Sequence, residues 1–281
     1  MKLGLHVAIG TGYDKAVAYA MDLGCEAIQF FHGNPRSYRP AKIDAPALER
    51  FRDARIAAKI DPAVIHTSYL INLATDDPKI AAGSLRLLTH DLAGAAAGGV
   101  RYVNTHLGSY GDRDREAGFA AVVLALETAL EQIRPGVALV LENSAGAGKL
   151  CGGTIEELGR FLDAVGHPQL GVCLDTAHSW AAGYDISTRD GVERFLELVD
   201  AHVRLDRLHL FHFNDTQIAL GGHRDRHWHL GEGLIGFEGF RALLSHAALR
   251  DKAAILETPG EESDDRRNLG TIRAILAGAA A

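Results

Sequence analysis

The sequence predicts a single (β/α)8 barrel, and three observations carry that prediction. Eight short, almost wholly apolar runs alternate with longer segments whose apolar residues recur at helical spacing. No linker or break in composition interrupts the alternation, so residues 1–281 read as one domain. A chain of 281 residues also suffices for one such barrel, which typically needs about 250.

The runs can be justified in order. Residues 2–8 form the first, and residues 26–31 the second, whose Phe30-Phe31 doublet reads as packing of the barrel wall. Residues 63–66 end in His66, and residues 100–106 end in His106. Phe119, Val122, Val123, Leu126, Ala129, Leu130 and Ile133 then trace one helix face, which Pro135-Gly136 stops before the fifth run, residues 137–142. Thr154, with Glu157 three residues later, has the form of a capping box that opens the next helix. His167-Pro168 precedes the sixth run, residues 169–175; the seventh covers 207–213 and the eighth 253–257. Strands apolar on both faces belong to a parallel sheet covered by helices. Residues 214–236, rich in Gly, His, Asp and Arg, form the one long irregular stretch, and such loops inside a compact domain usually carry function.

Composition narrows the function. Lys+Arg 29 against Asp+Glu 36 gives a net charge of −7, which argues against an indiscriminate nucleic-acid coat. With 47% hydrophobic and 23% charged residues the chain is neither disordered nor fibrous. No uncharged apolar stretch is long enough for a membrane helix and Met1-Lys2-Leu3-Gly4-Leu5-His6 is not a signal sequence, so a soluble cytoplasmic protein with no membrane partner is expected. Cys25, Cys151 and Cys173 are scattered and form neither a disulfide framework nor a thiolate metal site. Histidine is the unusual entry in the composition, with 14 copies.

The ends of the runs hold the chemistry. His66, His106, Glu142, Asp175 and Glu257 terminate five of them, and His212 lies near the end of another. In a barrel these ends converge on one face, where active sites lie. Asp175-Thr-Ala-His178 adds a nearby imidazole, and Asp225-Arg-His227 sets two donors on one side of an extended loop. One strand-end His is usually a hydrogen-bonded core residue, and one Asp is usually a helix cap. Several carboxylates buried together without cations would instead cost several kcal/mol each, roughly, which favours a metal site. Nitrogen and oxygen donors without sulfur suit Zn2+ or Mn2+. Five His and four carboxylates exceed the needs of one ion and match a cluster of two or three sharing a bridging carboxylate. Such a cluster makes the mouth of an acidic protein locally positive and suited to phosphate. Other motifs are weak. Gly146-Ala-Gly148-Lys149 lacks the spacing of a phosphate loop, and Ser109 misses the spacing of a nucleophile elbow. His90, His202 and His246 read as surface or capping residues, and His229 as a neighbour of the ligand loop.

An ordered set of segments then resembles one family. They are Gly4-Leu-His-Val7, His66-Thr-Ser-Tyr-Leu-Ile-Asn-Leu73, Asn104-Thr-His-Leu-Gly-Ser109, Leu141-Glu-Asn-Ser-Ala-Gly146, Leu174-Asp-Thr-Ala-His178, Ala182-Gly-Tyr-Asp185, Phe211-His-Phe-Asn-Asp215, Asp225-Arg-His227, Leu230-Gly-Glu-Gly233 and Leu256-Glu-Thr-Pro259. Together they resemble the endonuclease IV family of apurinic/apyrimidinic endonucleases over essentially the whole chain. The resemblance departs at Thr105, Leu107, Tyr110 and Phe213, which neighbour ligands rather than being ligands.

The resemblance implies a DNA-repair endonuclease (deoxyribonuclease IV) with a trinuclear zinc site. It would cut double-stranded DNA 5′ to an abasic nucleotide, leave 3′-hydroxyl and 5′-deoxyribose-phosphate ends, and also trim 3′ ends as a phosphodiesterase or phosphatase. His66 and His106 would hold one zinc, Asp175, His212 and Glu257 a second, and His178, Asp225 and His227 the third. Glu142 would bridge the first two, with Mn2+ able to replace Zn2+ at one or more positions. Glu142 and Glu257 are the expected catalytic carboxylates: the first shares the cations that activate a hydroxide, and the second also orients it. Arg36, Tyr69 and Leu70 would contact DNA, the family wedging matching residues into the duplex. A monomer is expected. The alternative is a metal-dependent sugar-phosphate isomerase or epimerase on a related barrel, which needs one or two ions and leaves His178, Asp225 and His227 without a use; a non-catalytic metal-stabilised binding protein is a further rival.

Overall fold

The computed structural model describes residues 1–278 of the chain. Its strands are β1 (Lys2–His6), β2 (Ala27–Phe31), β3 (Ala63–His66), β4 (Tyr102–Thr105), β5 (Ala138–Glu142), β6 (Leu170–Asp175), β7 (Leu208–His212) and β8 (Ala253–Leu256). They pair in sequence order, all parallel, and β8 returns to β1 to close the barrel. The helices are α1 (Tyr13–Asp22), α2 (Ala45–Ala57), α3 (Pro78–Gly98), α4 (Arg115–Leu130), α5 (Ile155–Val165), α6 (Thr176–Ala181), α7 (Arg189–His202), α8 (Gly236–Ser245) and α9 (Glu262–Leu276). Every run read as a strand is one, with its ends trimmed: His106 and Glu257 fall one residue beyond β4 and β8.

Strand alternation explains where the site is. Ala27, Val64, Tyr102, Val140, Cys173, Leu210, Ala253 and Ile255 form a separate buried cluster, while the neighbouring strand residues join the larger core under the helices. Side chains two apart on a strand share a face. His66, Glu142, Asp175, His212 and Glu257 each lie two residues beyond a member of the smaller cluster, and His106 lies four beyond Tyr102. The pattern that fills the barrel with apolar residues therefore delivers polar ones at its C-terminal mouth.

The helices start where short polar side chains can receive their free N–H groups. Asp44, Asp77, Asp114, Thr154, Asp175 and Thr188 all accept such bonds. The capping box expected at Thr154 is half formed. Its hydroxyl accepts from Glu157 N at 3.2 Å, but the Glu157 carboxylate accepts from Gly152 N at 2.7 Å and Tyr110 Oη at 2.8 Å. The reciprocal box occurs instead at α9, between Glu261 and Asp264.

Gly4 sets a tight contact between β1 and β2. A Cβ there would lie 2.3 Å from Ala27 O and 2.6 Å from its carbonyl carbon, both backbone atoms of the paired strand. Gly4→Ala should destabilise the fold by about 1–3 kcal/mol or more, because only a backbone shift can relieve the overlap. Gly10→Ala, with nothing within 4 Å, is the matched control. A thermal melt in which both variants unfold with the wild type would refute this account of the β1–β2 contact.

Candidate metal centre

Glu142 is 1% exposed and stands at the centre of the C-terminal mouth. Its Oε2 is 3.3 Å from His66 Nε2 and 3.4 Å from His106 Nε2; its Oε1 is 3.1 Å from His212 Nδ1. His212 Nδ1 also lies 3.2 Å from Glu257 Oε2. Further out, Asp225 Oδ1 is 3.2 Å from His178 Nε2 and 3.4 Å from His227 Nε2, and Asp175 Oδ2 is 3.4 Å from His227 Nε2. All nine side chains singled out as ligands are thus brought together.

Their donor atoms fall into three groups: His66, His106 and Glu142; Glu142, Asp175, His212 and Glu257; and Asp175, His178 and His227, with Asp225 facing the last two from the rim. Glu142 belongs to two groups, and so does Asp175, which the sequence reading had placed with one cation only. Asp175 also combines the two roles weighed against each other in the sequence, because its Oδ1 caps α6 through His178 N at 2.7 Å while Oδ2 faces the donors.

The residues fit divalent cations. His178 Nε2 and His227 Nε2 are buried and have no hydrogen-bond partner. They approach Asp225 without the alignment of a hydrogen bond, so lone pairs converge on the space between the groups rather than on each other. The opposite ring nitrogens are engaged: His66 Nδ1 donates to Thr67 O at 2.8 Å, His178 Nδ1 to Asn143 O at 3.0 Å and His227 Nδ1 to Glu257 O at 3.2 Å. His212 is turned the other way, its Nε2 donating to Gln29 Oε1 at 2.9 Å. Each bond leaves the inward nitrogen free to bind a cation. Burial pushes the Cys173 thiol up to about 12, so it stays protonated beside the donors.

The charges are mutually dependent. Burial raises the Glu142 carboxyl, yet the imidazoles of His106, His212 and His178 outweigh it and hold it well below the usual carboxylate range. Burial likewise opposes charge on His178, but Asp175, Asp225 and Glu142 raise it well above its ordinary value. Asp225 is held down to about 2, its burial overcome by His178, His227 and His106. Cations at these positions would displace imidazole protons and satisfy the same carboxylates.

Residues the sequence reading missed orient the donors. Gln29, fully buried, also donates from Nε2 to Glu257 Oε1 at 2.6 Å. His6 Nδ1 lies 3.3 Å from the same oxygen. Asn104 Nδ2 donates to Glu142 Oε2 at 2.6 Å, and Asn214 Nδ2 to Asp175 Oδ2 at 2.7 Å. The signal for Gln29 and His6 was present: each interrupts an apolar run at an inward position.

Above the centre lies a cavity of about 440 Å³ whose walls include Phe31, Tyr69 and Thr258. Phe31 is therefore not wall packing alone, whereas Phe30 is buried in the core. Tyr69 is 59% exposed, its ring 5.0 Å from that of Phe31; Arg36 is exposed and Leu70 half-buried. Their two loops brace each other, since Ser68 Oγ donates to Pro35 O at 2.7 Å and Tyr38 Oη to Leu70 O at 2.6 Å. His229 lies outside the centre, its Nδ1 3.2 Å from Asn268 Nδ2.

The long loop bearing Asp225 and His227 is built around Asp215. That carboxylate accepts from the N–H groups of Thr216 (2.8 Å), Gly231 (2.9 Å), Ile235 (3.0 Å), Gly233 (3.1 Å) and Gly236 (3.3 Å). Asp215→Asn should turn an amide NH2 against some of these donors, costing about 1–3 kcal/mol. The loop should then open, and trypsin should cut faster after the exposed Arg224 and Arg226. Unchanged cleavage rates would remove Asp215 from this role.

Comparison with known proteins agrees with this geometry. A family described as a xylose isomerase-like TIM barrel matches residues 17–276. A probable endonuclease 4 from Natranaerobius thermophilus is 43% identical over 98% of each chain. Another from Solibacter usitatus is 41% identical over 98% of this chain and 97% of its own. The crystal structure of endonuclease IV from Thermus thermophilus superposes with a TM-score of 0.88 at 37% identity, covering 99% of this chain and 100% of that one. A D-tagatose 3-epimerase-like protein with a TM-score of 0.76 and 17% identity shares the fold alone. The chain belongs to the endonuclease IV family.

Proposed function

We propose that the protein is a DNA-repair hydrolase, an apurinic/apyrimidinic endonuclease that cuts the phosphodiester 5′ to an abasic nucleotide in double-stranded DNA. It leaves 3′-hydroxyl and 5′-deoxyribose-phosphate ends and trims blocked 3′ ends by the same phosphodiesterase chemistry. The reading assigns it one domain over residues 1–281 and action as a cytoplasmic monomer. Among the described residues, no helix is long and apolar enough to cross a membrane. The observation that carries the proposal is the continuity of three donor groups through Glu142 and Asp175. A sugar isomerase or epimerase, needing one or two ions, has no use for the outermost group.

In this reading His66, His106 and Glu142 would hold one cation, Glu142, Asp175, His212 and Glu257 a second, and His178, Asp225 and His227, faced also by Asp175, a third. Nitrogen and oxygen donors favour zinc, with manganese able to replace it. Bound divalent cations supply a nucleophile from water near neutral pH and neutralise phosphate and leaving-group oxygens. The chain's own residues do the rest. Glu142 neutralises its surroundings from the centre, held by Asn104. Glu257, fixed by Gln29 and His6 through Oε1, would orient the attacking water. A recessed centre cannot reach a nucleotide stacked in duplex DNA, so the abasic nucleotide must be extruded. Tyr69 and Leu70 fill the gap in the base stack and Arg36 pairs with the backbone.

Purified protein should carry about three divalent ions per chain, and Glu142→Gln should lose about 100-fold or more in nicking of an abasic duplex. Elemental analysis finding one ion or fewer in an active preparation, or near-normal nicking by a metal-loaded Glu142→Gln, would overturn the assignment. Tyr69→Ala should lose stacking worth about 1–3 kcal/mol. Abasic-duplex binding should weaken at matched salt while metal content and melting temperature stay unchanged, and equal affinities would sink the wedge.

A further inference from the structure

The opposite mouth of the barrel also contains a constructed pocket. It is a cavity of about 250 Å³ among the first residues of β1, β4 and β8, whose polar lining is Lys2, Arg101, Tyr102, His209 and Lys252 together with the carboxylates of Asp206 and Asp251. Its position follows from an irregularity in β7. Val172 pairs with Leu208 and Cys173 with Leu210, so His209 is an extra residue in the register. A bulge of this kind re-aims a side chain. The His209 ring turns inward and stacks on Tyr102, with centroids 5.3 Å apart and planes at 21°. Gly171 makes the space, since a Cβ there would lie 2.3 Å from His209 Cδ2.

The charges around this pocket are unevenly matched. Lys252 is only 9% exposed, and among the described residues its ammonium has one ionic neighbour, Asp251 at 3.6 Å, itself largely exposed. Arg101 is exposed, its guanidinium carbon lies over the Tyr102 ring at 5.3 Å from the centroid, and it makes no ion pair among the described residues. Lys2 shares Asp61 with Arg55, and Asp206 is taken by Arg204 at 2.8 Å. Cations thus exceed the carboxylates left to balance them. His209 registers that excess: burial first, then Lys252, Arg101 and Arg207, push it down to about 4, leaving a neutral imidazole that can donate one N–H.

We propose that this pocket binds a phosphate group, either inorganic phosphate or the terminal phosphate of a small phosphomonoester, through Arg101, Lys252 and His209. Neither a buried ammonium nor an unpaired guanidinium is used by the metal centre, and both are strong partners for a dianion. Since Lys2 N donates to Lys252 O at 2.9 Å, an anion here would sit on the seam that closes the barrel. Occupancy should therefore stabilise the fold.

The test is phosphate binding to the metal-loaded enzyme at fixed ionic strength, by calorimetry and thermal melting. The metal centre also attracts phosphate, so Arg101→Gln/Lys252→Met is compared with the wild type. The wild type should bind one more phosphate per chain, and at about tenfold excess over the dissociation constant its melting point should rise on the order of 2–4 °C more than the variant's. Nicking and metal content should be the same in both. Should Lys252→Met fail to fold, Arg101→Gln alone should weaken the extra site about tenfold, as expected for loss of one charge-assisted contact. A parallel titration with glycerol phosphate separates the sources: tighter binding than inorganic phosphate identifies a phosphomonoester site, and equal or weaker binding identifies free phosphate. Identical stoichiometry and affinity in wild type and variant, or equal stabilisation by sodium chloride, would overturn the proposal.

Discussion

One buried carboxylate governs this structure. Glu142 sits at the end of β5, essentially out of contact with solvent, and such a charge persists only among opposite charges and donors. It finds them on four separate elements: His66 on β3, His106 after β4, His178 on α6 and His212 on β7, all within 3.4 Å of its oxygens. Closing the barrel and assembling the donors are consequently one event. A slip of one residue in any of these strands would turn its donor away from Glu142 and bury a wrong side chain.

The amides show how the arrangement is kept from collapsing into simple ion pairs. Gln29 joins His212 to Glu257, and Asn214 joins Asp175 to the Glu257 backbone, whose N–H it accepts at 2.9 Å. Each amide occupies a lone pair or N–H that would otherwise reorient the ligand. The remaining inward atoms, such as Nε2 of His178 and His227, are left without a hydrogen-bond partner, a cost that a bound cation would remove.

Much of this was legible in the sequence because barrel strands are short and their ends are chemically conspicuous. His66, Glu142, Asp175 and Glu257 each interrupt apolar runs at a point where a buried strand must stop, so they could be read as a convergent set. Gln29 and Asn104 show only that a polar residue faces inward, not what it holds. Gln29 acts across the barrel on a residue 183 positions away and Asn104 on the neighbouring strand β5, and a polar residue within a run does not announce its partner. The clamp at Asp215 was hidden for another reason: its partners are backbone N–H groups, which every sequence supplies. The double membership of Asp175 depends on which way each of its oxygens points, and spacing carries no information about that.

The bulge in β7 was equally invisible, and it ties the two mouths of the barrel together. Leu208 packs toward the helices with Val172, whereas Leu210 faces the barrel interior with Cys173. In a regular strand two residues that are two apart share a face, so Leu210 and His212 would both follow Leu208 outward. The extra residue reverses that phase. It brings His212 inward to Glu142 at one end and leaves His209 inside at the other, where Gly171 accommodates it. Deleting the bulge would therefore empty the lower pocket of its imidazole and withdraw a donor from the metal centre at the same time. A feature that looks like a local defect in pairing is the means by which one strand serves both ends of the barrel.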